Sequence, residues 1–271
     1  MLRELLRTLL VSSPSWARRL GLAHENAAIA ARHRRCAAAW APHLAASREA
    51  ILAAADRCLR RRAALVIGAG DCLDVPVAAL AGRFEAVVLA DVVLSPAARR
   101  CARRAPDRVR CLAWDATGAL ARLAAATPQA DPAEIRRLFA EADPGPPPGG
   151  EPDLIVSANC ISQLGLVPAH SLPAADRDSS FPDRCAEAAA RRHLSWLAAR
   201  PGVRVLIADA ARLDVAPDGS ILKRENLRAR FGLRPPDRAW RWDLAPIPEW
   251  SPDFSRVHEV GAWFDGPQCP A

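Results

Sequence analysis

Residues Leu65 to Pro76 read LVIGAGDCLDVP. The segment continues an apolar run that begins at Ala63, with no polar residue alternating through it. Such a run is a strand buried on both faces, as strands of parallel sheets are. It stops on Gly68-Ala69-Gly70, followed by the acids Asp71 and Asp74. A buried strand that ends on a glycine turn before a helix lets the backbone approach a ligand closely and aims helix N–H groups at it. The spacing departs from the dinucleotide pattern G-x-G-x-x-G, because Cys72 or Leu73 stands where a third glycine would be. Asp74 reads as the N-cap of a helix over DVPVAALAGRF, with Pro76 in its first turn.

Strands and helices alternate beyond this segment. EAVVLADVV, VRCLAWDA, DLIVSAN and VRVLIADA read as four more strands. Between them SPAARRCARRA, GALARLAAAT, DPAEIRRLFAEA and DRCAEAAARRHLSWLAAR read as helices, the first opened by Ser95 and Pro96. This alternation implies a doubly wound, mostly parallel sheet with helices on both faces. The tail changes character. A short helix near KRENLRARFG precedes two strand-like runs, AWRWDLAPI and SRVHEVGAWF, which imply a C-terminal antiparallel hairpin.

Residues 1–60 read as a helical extension and residues 61–271 as the α/β domain. The alanine-rich stretch after Pro14 has helical periodicity, and Pro42 is expected to kink or split it. Cys36, Trp40 and His43 fall near one face of that helix.

The chain of 271 residues is 51% hydrophobic, enough for a substantial core. No uninterrupted apolar stretch reaches the roughly 18 residues of a membrane span, and MLRELLRTLLVSS reads as an amphipathic helix rather than a signal peptide. A cytoplasmic protein without a membrane partner is the expectation. The eight cysteines include no C-x-x-C pair, which argues against a metal site and for reduced, buried thiols. The net charge of +7 comes almost entirely from arginine, with Lys223 the only lysine. Ten arginines face four acids in residues 1–60. That basic surface is a candidate for RNA or an acidic protein partner, against the plainer reading of a solvated helix face, since no aromatic-interleaved RNA motif accompanies it.

In a doubly wound sheet ligands sit outside the carboxyl ends of the strands. Three such ends carry suggestive residues. The first is the Gly68–Gly70 turn. The second is Asp91, 21 residues beyond Gly70, where a carboxylate can accept from both ribose hydroxyls. The third is Asp115, where a carboxylate can accept from an exocyclic adenine amine while Trp114 or Ala116 packs on the base. Taken singly, Asp91 and Asp115 read equally well as helix caps.

Together these segments resemble the class I S-adenosylmethionine (SAM)-dependent methyltransferases: LVIGAG for the first motif, Asp91 ending strand two, Asp115-Ala116 ending strand three, and a closing hairpin. The resemblance covers roughly residues 61–265. It implies a seven-stranded, Rossmann-like sheet and SAM as cofactor. Gly68, Ala69 and Gly70 would line the methionine part, with Asp71 near its amino group, Asp91 on the ribose and Asp115 at the adenine. Val66 departs from the family, which often carries an acid two residues before the first glycine. In the family the end of strand four, here SANCISQL, faces both sulfonium and acceptor. Its polar candidates are Ser157 for the cofactor, Asn159 for catalysis or the methionine group, and Gln163 for the acceptor. His170 is a candidate base, and His33, Trp40 and His43 are candidate acceptor contacts if the N-terminal helices cap the pocket. SLPAADRDSSFPDR is long and polar enough for a lid. No N-P-P-[FY] or D-P-P-[FY] motif is present, which favours a small-molecule acceptor over nucleic acid.

Two other readings stand beside this one. A nicotinamide dinucleotide oxidoreductase would keep two of the three glycines and Asp91, but the closing hairpin and Asp115 fit it less well, and a chain without tyrosine has no catalytic Tyr. A non-catalytic binding or assembly protein on the methyltransferase fold would use the basic N-terminal face.

Overall fold

A computed structural model describes residues 10–126, 131–167 and 180–267. Three N-terminal helices, α1 (Ser15–Arg19), α2 (Leu22–Arg35) and α3 (Ala37–Asp56), lead into the first strand, β1 (Ala63–Ile67). Then follow α4 (Val77–Arg83), β2 (Ala86–Asp91), α5 (Pro96–Arg104), β3 (Val109–Ala113), α6 (Leu120–Ala125), α7 (Pro132–Glu141), β4 (Leu154–Ala158), α8 (Phe181–Ala198) and β5 (Val203–Val215). The chain closes with β6 (Ile221–Glu225), α9 (Leu227–Arg230), β7 (Arg238–Ala245) and β8 (Ser255–Asp265).

The strands form one sheet in the order β3-β2-β1-β4-β5-β8-β7, with β6 pairing separately on β5. β1 to β5 run parallel, whereas β8 is antiparallel to both β5 and β7. The sheet is thus mostly parallel with the expected antiparallel hairpin at its end, and the last strand lies between the fifth and its own hairpin partner. One strand exceeds the seven expected. β5 continues past Asp209 through a register shift, and its far end pairs antiparallel with β6. The expected helix near KRENLRARFG is therefore split. Ile221–Glu225 is strand, and only Leu227–Arg230 is helical, capped where Asn226 Oδ1 accepts from Ala229 N at 3.0 Å.

The continuous apolar runs follow from helices covering both faces. Ala64 and Val66 of β1 point into the largest core cluster with Ile51 and Ala54 of α3 and Leu80 of α4. Leu65 and Ile67 point the other way, against Trp196 and Leu197 of α8. So α3 is a wall of the main core. The break in the N-terminal helical stretch falls at Cys36, between α2 and α3, and α3 continues through Pro42. Ser95 caps α5 as expected, its Oγ accepting from Ala98 N at 3.1 Å. Asp74 does not cap α4. Pro76 stands at that position and Asp74 is used elsewhere.

The chain runs from β1 outward to β3, then crosses back to lay β4 on the other side of β1. The strand order reverses between β1 and β4, so the crevice of the sheet lies at their carboxyl ends.

Ile51 is fully buried between α3 and the sheet. Ile51→Ala should lower the unfolding free energy by about 2–5 kcal/mol in a single cooperative transition. A loss well under 1 kcal/mol by denaturant titration would show that α3 is not part of the core.

Candidate functional site

β1 ends at Ile67, and Gly68 turns the chain at φ +75°. A Cβ at Gly68 would lie 2.8 Å from the Ala158 carbonyl oxygen and 3.0 Å from Cys160 Cβ, so only glycine fits between the ends of β1 and β4. Gly70 follows at φ +47° and Cys72 at φ +56°. Cys72 thus takes the left-handed conformation near the position where the dinucleotide pattern has its third glycine. Burial pushes its thiol pKa well up.

Asp91, at the end of β2, ties this loop in place. Its Oδ2 accepts from Gly70 N at 2.9 Å and its Oδ1 from Val93 N at 3.0 Å. Ser95 Oγ donates to the Gly70 carbonyl at 2.8 Å. Burial raises the Asp91 pKa, opposed by these backbone N–H groups. Asp115 shares the pattern after β3. Its Oδ1 accepts from Thr117 N at 2.8 Å and Thr117 Oγ1 at 2.7 Å, and its Oδ2 from Leu120 N at 2.8 Å. It organises the entry to α6, yet it also lines the cavity, as do Trp114 and Ala116 beside it. Trp114 is fixed by an N–H bond to the Pro144 carbonyl at 3.2 Å and by a tilted contact with Trp196.

These ends open into a cavity of about 240 Å³. It gathers Gly68, Ala69, Gly70, Asp71, Asp91, Trp114, Asp115, Ala116, Asn159, Gln163, Trp40 and His43. Two expected residues are not on its wall. Ser157 is buried one layer beneath, within β4, its Oγ 2.9 Å from His193 Nε2, while Ala158 at the strand's end and Asn159 just past it line the opening. His33 packs its ring near Trp40 outside the lining. His170 lies outside the described residues, as does most of the expected lid, while Phe181–Arg184 already belongs to α8.

Asn159, just past β4, is held at φ +49°, an uncommon conformation for a side-chain-bearing residue. Its Nδ2 donates to Asp74 Oδ2 at 3.0 Å and lies 3.4 Å from His43 Nε2. Gln163 Nε2 donates to the Asn159 carbonyl at 2.9 Å. Burial raises the Asp74 pKa, opposed chiefly by that Asn159 N–H. His43 is 1% exposed and stacks on Trp242, with centroids 3.9 Å apart and planes 6° apart. Trp40 meets Trp242 edge to face at 5.0 Å and donates its indole N–H to the Leu244 carbonyl at 2.8 Å. Behind this wall His258 Nδ1 sits 3.0 Å from Asp209 Oδ1, whose other oxygen accepts from Ser162 Oγ at 2.9 Å. Burial opposes ionisation of Asp209, but His258 and Ser162 hold its carboxyl below the ordinary value.

Sequence reasoning missed Asp74 and Trp242. Asp74, two residues before Pro76, has the local sequence of a helix cap, which hides its role at the cavity. Trp240 and Trp242 both belong to one face of a strand by their spacing of two, a signal that was there to read. Among the described residues no group of His, Cys, Asp and Glu could hold a metal ion, and no helix is long and apolar enough to cross a membrane. The basic N-terminal excess is partly spent internally. Arg35 forms a two-pronged pair with Glu249, joined by Arg32, and Arg18 donates to the Val11 carbonyl.

No protein-family model and no curated protein matches the sequence. Among solved structures the chain is similar to the 1,6-didemethyltoxoflavin-N1-methyltransferase of Burkholderia thailandensis, at 17% identity over 89% of this chain and 90% of that one, with a TM-score of 0.36. It is similar to an O-methyltransferase family protein of the same organism at 13% identity, covering 96% and 66%, TM-score 0.34. A sugar N-methyltransferase from a Streptoalloteichus species is similar at 14% identity, covering 79% and 87%, TM-score 0.30.

Burial lowers the pKa of both His43 and His193 from 6.5 to about 4. A histidine that is neutral when folded and protonates readily when unfolded stabilises the fold fully above pH 6.5. That contribution is lost progressively as pH falls from 6.5 to about 4. Each site should cost on the order of 3 kcal/mol over this window. Urea titrations at pH 7 and pH 5 check this, and equal stabilities would refute it.

Proposed function

We propose that this chain is a SAM-dependent methyltransferase acting on a small-molecule acceptor, with α2 and α3 of the helical extension forming part of the acceptor pocket. The observation that carries the reading is the convergence, at the β1–β4 reversal point, of the glycine turn with two strand-end carboxylates in one cavity. A dinucleotide oxidoreductase leaves the antiparallel β8 between β5 and β7 without a role.

The donor set fits SAM. Each Asp91 oxygen accepts one backbone N–H and keeps a further lone pair for a ribose hydroxyl. Trp114, Ala116 and Leu120 offer an apolar slot suited to adenine, and Asp115 Oδ2 accepts only one bond. Gly68, Ala69 and Gly70 line the cavity without bulk and would hold the methionine part, with Asp71 beside them for its amino group. When bound, SAM supplies a methyl group already activated on sulfonium. The protein's task is then to align an acceptor with that methyl and to keep water out. Asn159 and Gln163 are the polar groups at the β4 end that can orient an acceptor, and Trp40, His43 and Trp242 form the apolar side of its site.

Calorimetric titration should give saturable heat with SAM and with S-adenosylhomocysteine, and none with NADH. Asp91→Ala should weaken SAM about 10- to 100-fold, as expected for lost hydrogen bonds to a charged group. Heat with NADH and none with SAM would sink the reading.

A further inference from the structure

The tautomer of His43 is fixed by its neighbours. Trp240 donates its indole N–H to His43 Nδ1 at 3.0 Å, and an indole nitrogen can only donate. Nδ1 therefore carries no proton, and the neutral ring carries its proton on Nε2. That N–H points at the cavity wall, where its near neighbour is Asn159 Nδ2 at 3.4 Å. The Asn159 amide is itself oriented by its N–H bond to Asp74 Oδ2 at 3.0 Å. Two donors thus face each other, and no hydrogen bond joins them. Asn159 Oδ1 is buried with no partner among the described residues. The unmet donor of His43 and the carboxylate of Asp74 flank one amide, so they stand within the reach of a single small molecule.

We infer that this cluster is an acceptor subsite for a neutral, planar molecule carrying an ionisable N–H or O–H next to a carbonyl or ring nitrogen. The N–H or O–H faces Asp74 and the adjoining lone pair faces His43 Nε2–H. Trp40 and Trp242, set edge to face on the cavity wall, give the preference for an aromatic ligand. The inference rests on the methyltransferase reading for what happens to the bound molecule. The N–H or O–H proton passes to the Asp74 carboxylate, and the freed lone pair of nitrogen or oxygen forms the bond to the methyl carbon. The carbon–sulfur bond breaks with its electron pair kept by sulfur, so the sulfonium charge and the carboxylate charge disappear together. Asp74 is then a catalytic residue and His43 an acceptor-binding one.

The chain has no tyrosine, so its intrinsic emission reports tryptophan, and Trp40 and Trp242 are at the subsite. The probe is 2-quinolone, a neutral bicyclic lactam with N–H beside C=O, compared with N-methyl-2-quinolone, which lacks the donor. Fluorescence titration is run on the full chain with and without S-adenosylhomocysteine, whose own binding is followed by calorimetry. The wild-type protein should bind 2-quinolone at least tenfold tighter than the N-methyl compound. Asp74→Ala should reduce that preference to about one while retaining S-adenosylhomocysteine binding, which also shows that the variant is folded. His43→Phe should weaken both compounds alike and leave their ratio unchanged. Equal affinity of the wild type for the two compounds, or a preference that survives in Asp74→Ala, overturns the inference. If S-adenosylhomocysteine gives no heat while the preference holds, the methyltransferase reading fails and the ligand class stands.

Discussion

The contact between Gly68 and the end of β4 is the constraint on which the site depends. A side chain at Gly68 would overlap the Ala158 carbonyl, so its absence lets the β1 turn lie flat against β4. With the turn seated there, Gly70 N reaches the Asp91 carboxylate, and Asp91 in turn fixes Val93. The same closeness brings Asn159 over Asp74, since both residues leave their strands at the reversal point. One missing Cβ thus sets the spacing of two carboxylates and an amide on three different segments.

The opposite wall depends on strand insertion. β8 enters antiparallel between β5 and β7, and the alternation of β7 turns Trp240 and Trp242 toward α3. There Trp240 fixes the His43 ring through its indole N–H, and Trp242 stacks on it. A helix from the start of the chain and a strand near its end therefore share one aromatic cluster, which closes the cavity away from Asp91. This is why the N-terminal helices cannot be treated as an appendage: α3 supplies both core residues and cavity wall.

The architecture was legible because buried parallel strands write themselves as continuous apolar runs, and five such runs separated by helical periodicity admit few topologies. The glycine turn, Asp91 and Asp115 were legible because they terminate those runs. What was not legible depends on contacts across the chain. Asp74 looked like a helix cap because local grammar offered it that job, and its partner Asn159 lies 85 residues away. Ser157 and Asn159 are both polar residues at one strand end and, two apart, would share a face if the strand continued, yet the first is buried within β4 against His193 and the second has left the strand at φ +49° and lines the cavity. The strand Ile221–Glu225 was hidden because its charged, exposed sequence carries no apolar alternation to mark it. It is held by pairing with the overlong end of β5 and by the Arg212–Glu225 and Arg224–Glu259 pairs beside it.

Two polar clusters flank the aromatic wall, and their positions separate support from site: one lies behind the wall and the other lines the cavity. Asp209 is held by His258 on one oxygen and Ser162 on the other, and its carboxyl ionises readily despite burial. Such a pair behaves as scaffold: it locks the back of the aromatic wall, and losing one partner would strand a buried charge. The Asp74–Asn159–His43 cluster is arranged otherwise. It places a carboxylate whose ionisation is opposed by burial beside an amide with an unmet oxygen and an imidazole N–H that meets only another donor. Unmet buried polar groups cost about 1–3 kcal/mol each, and a fold gains nothing in stability by keeping them. The unmet groups of this cluster stand on the wall of the cavity at the reversal point of the sheet, within reach of a bound molecule, whereas those of the Asp209–His258 pair lie behind the aromatic wall.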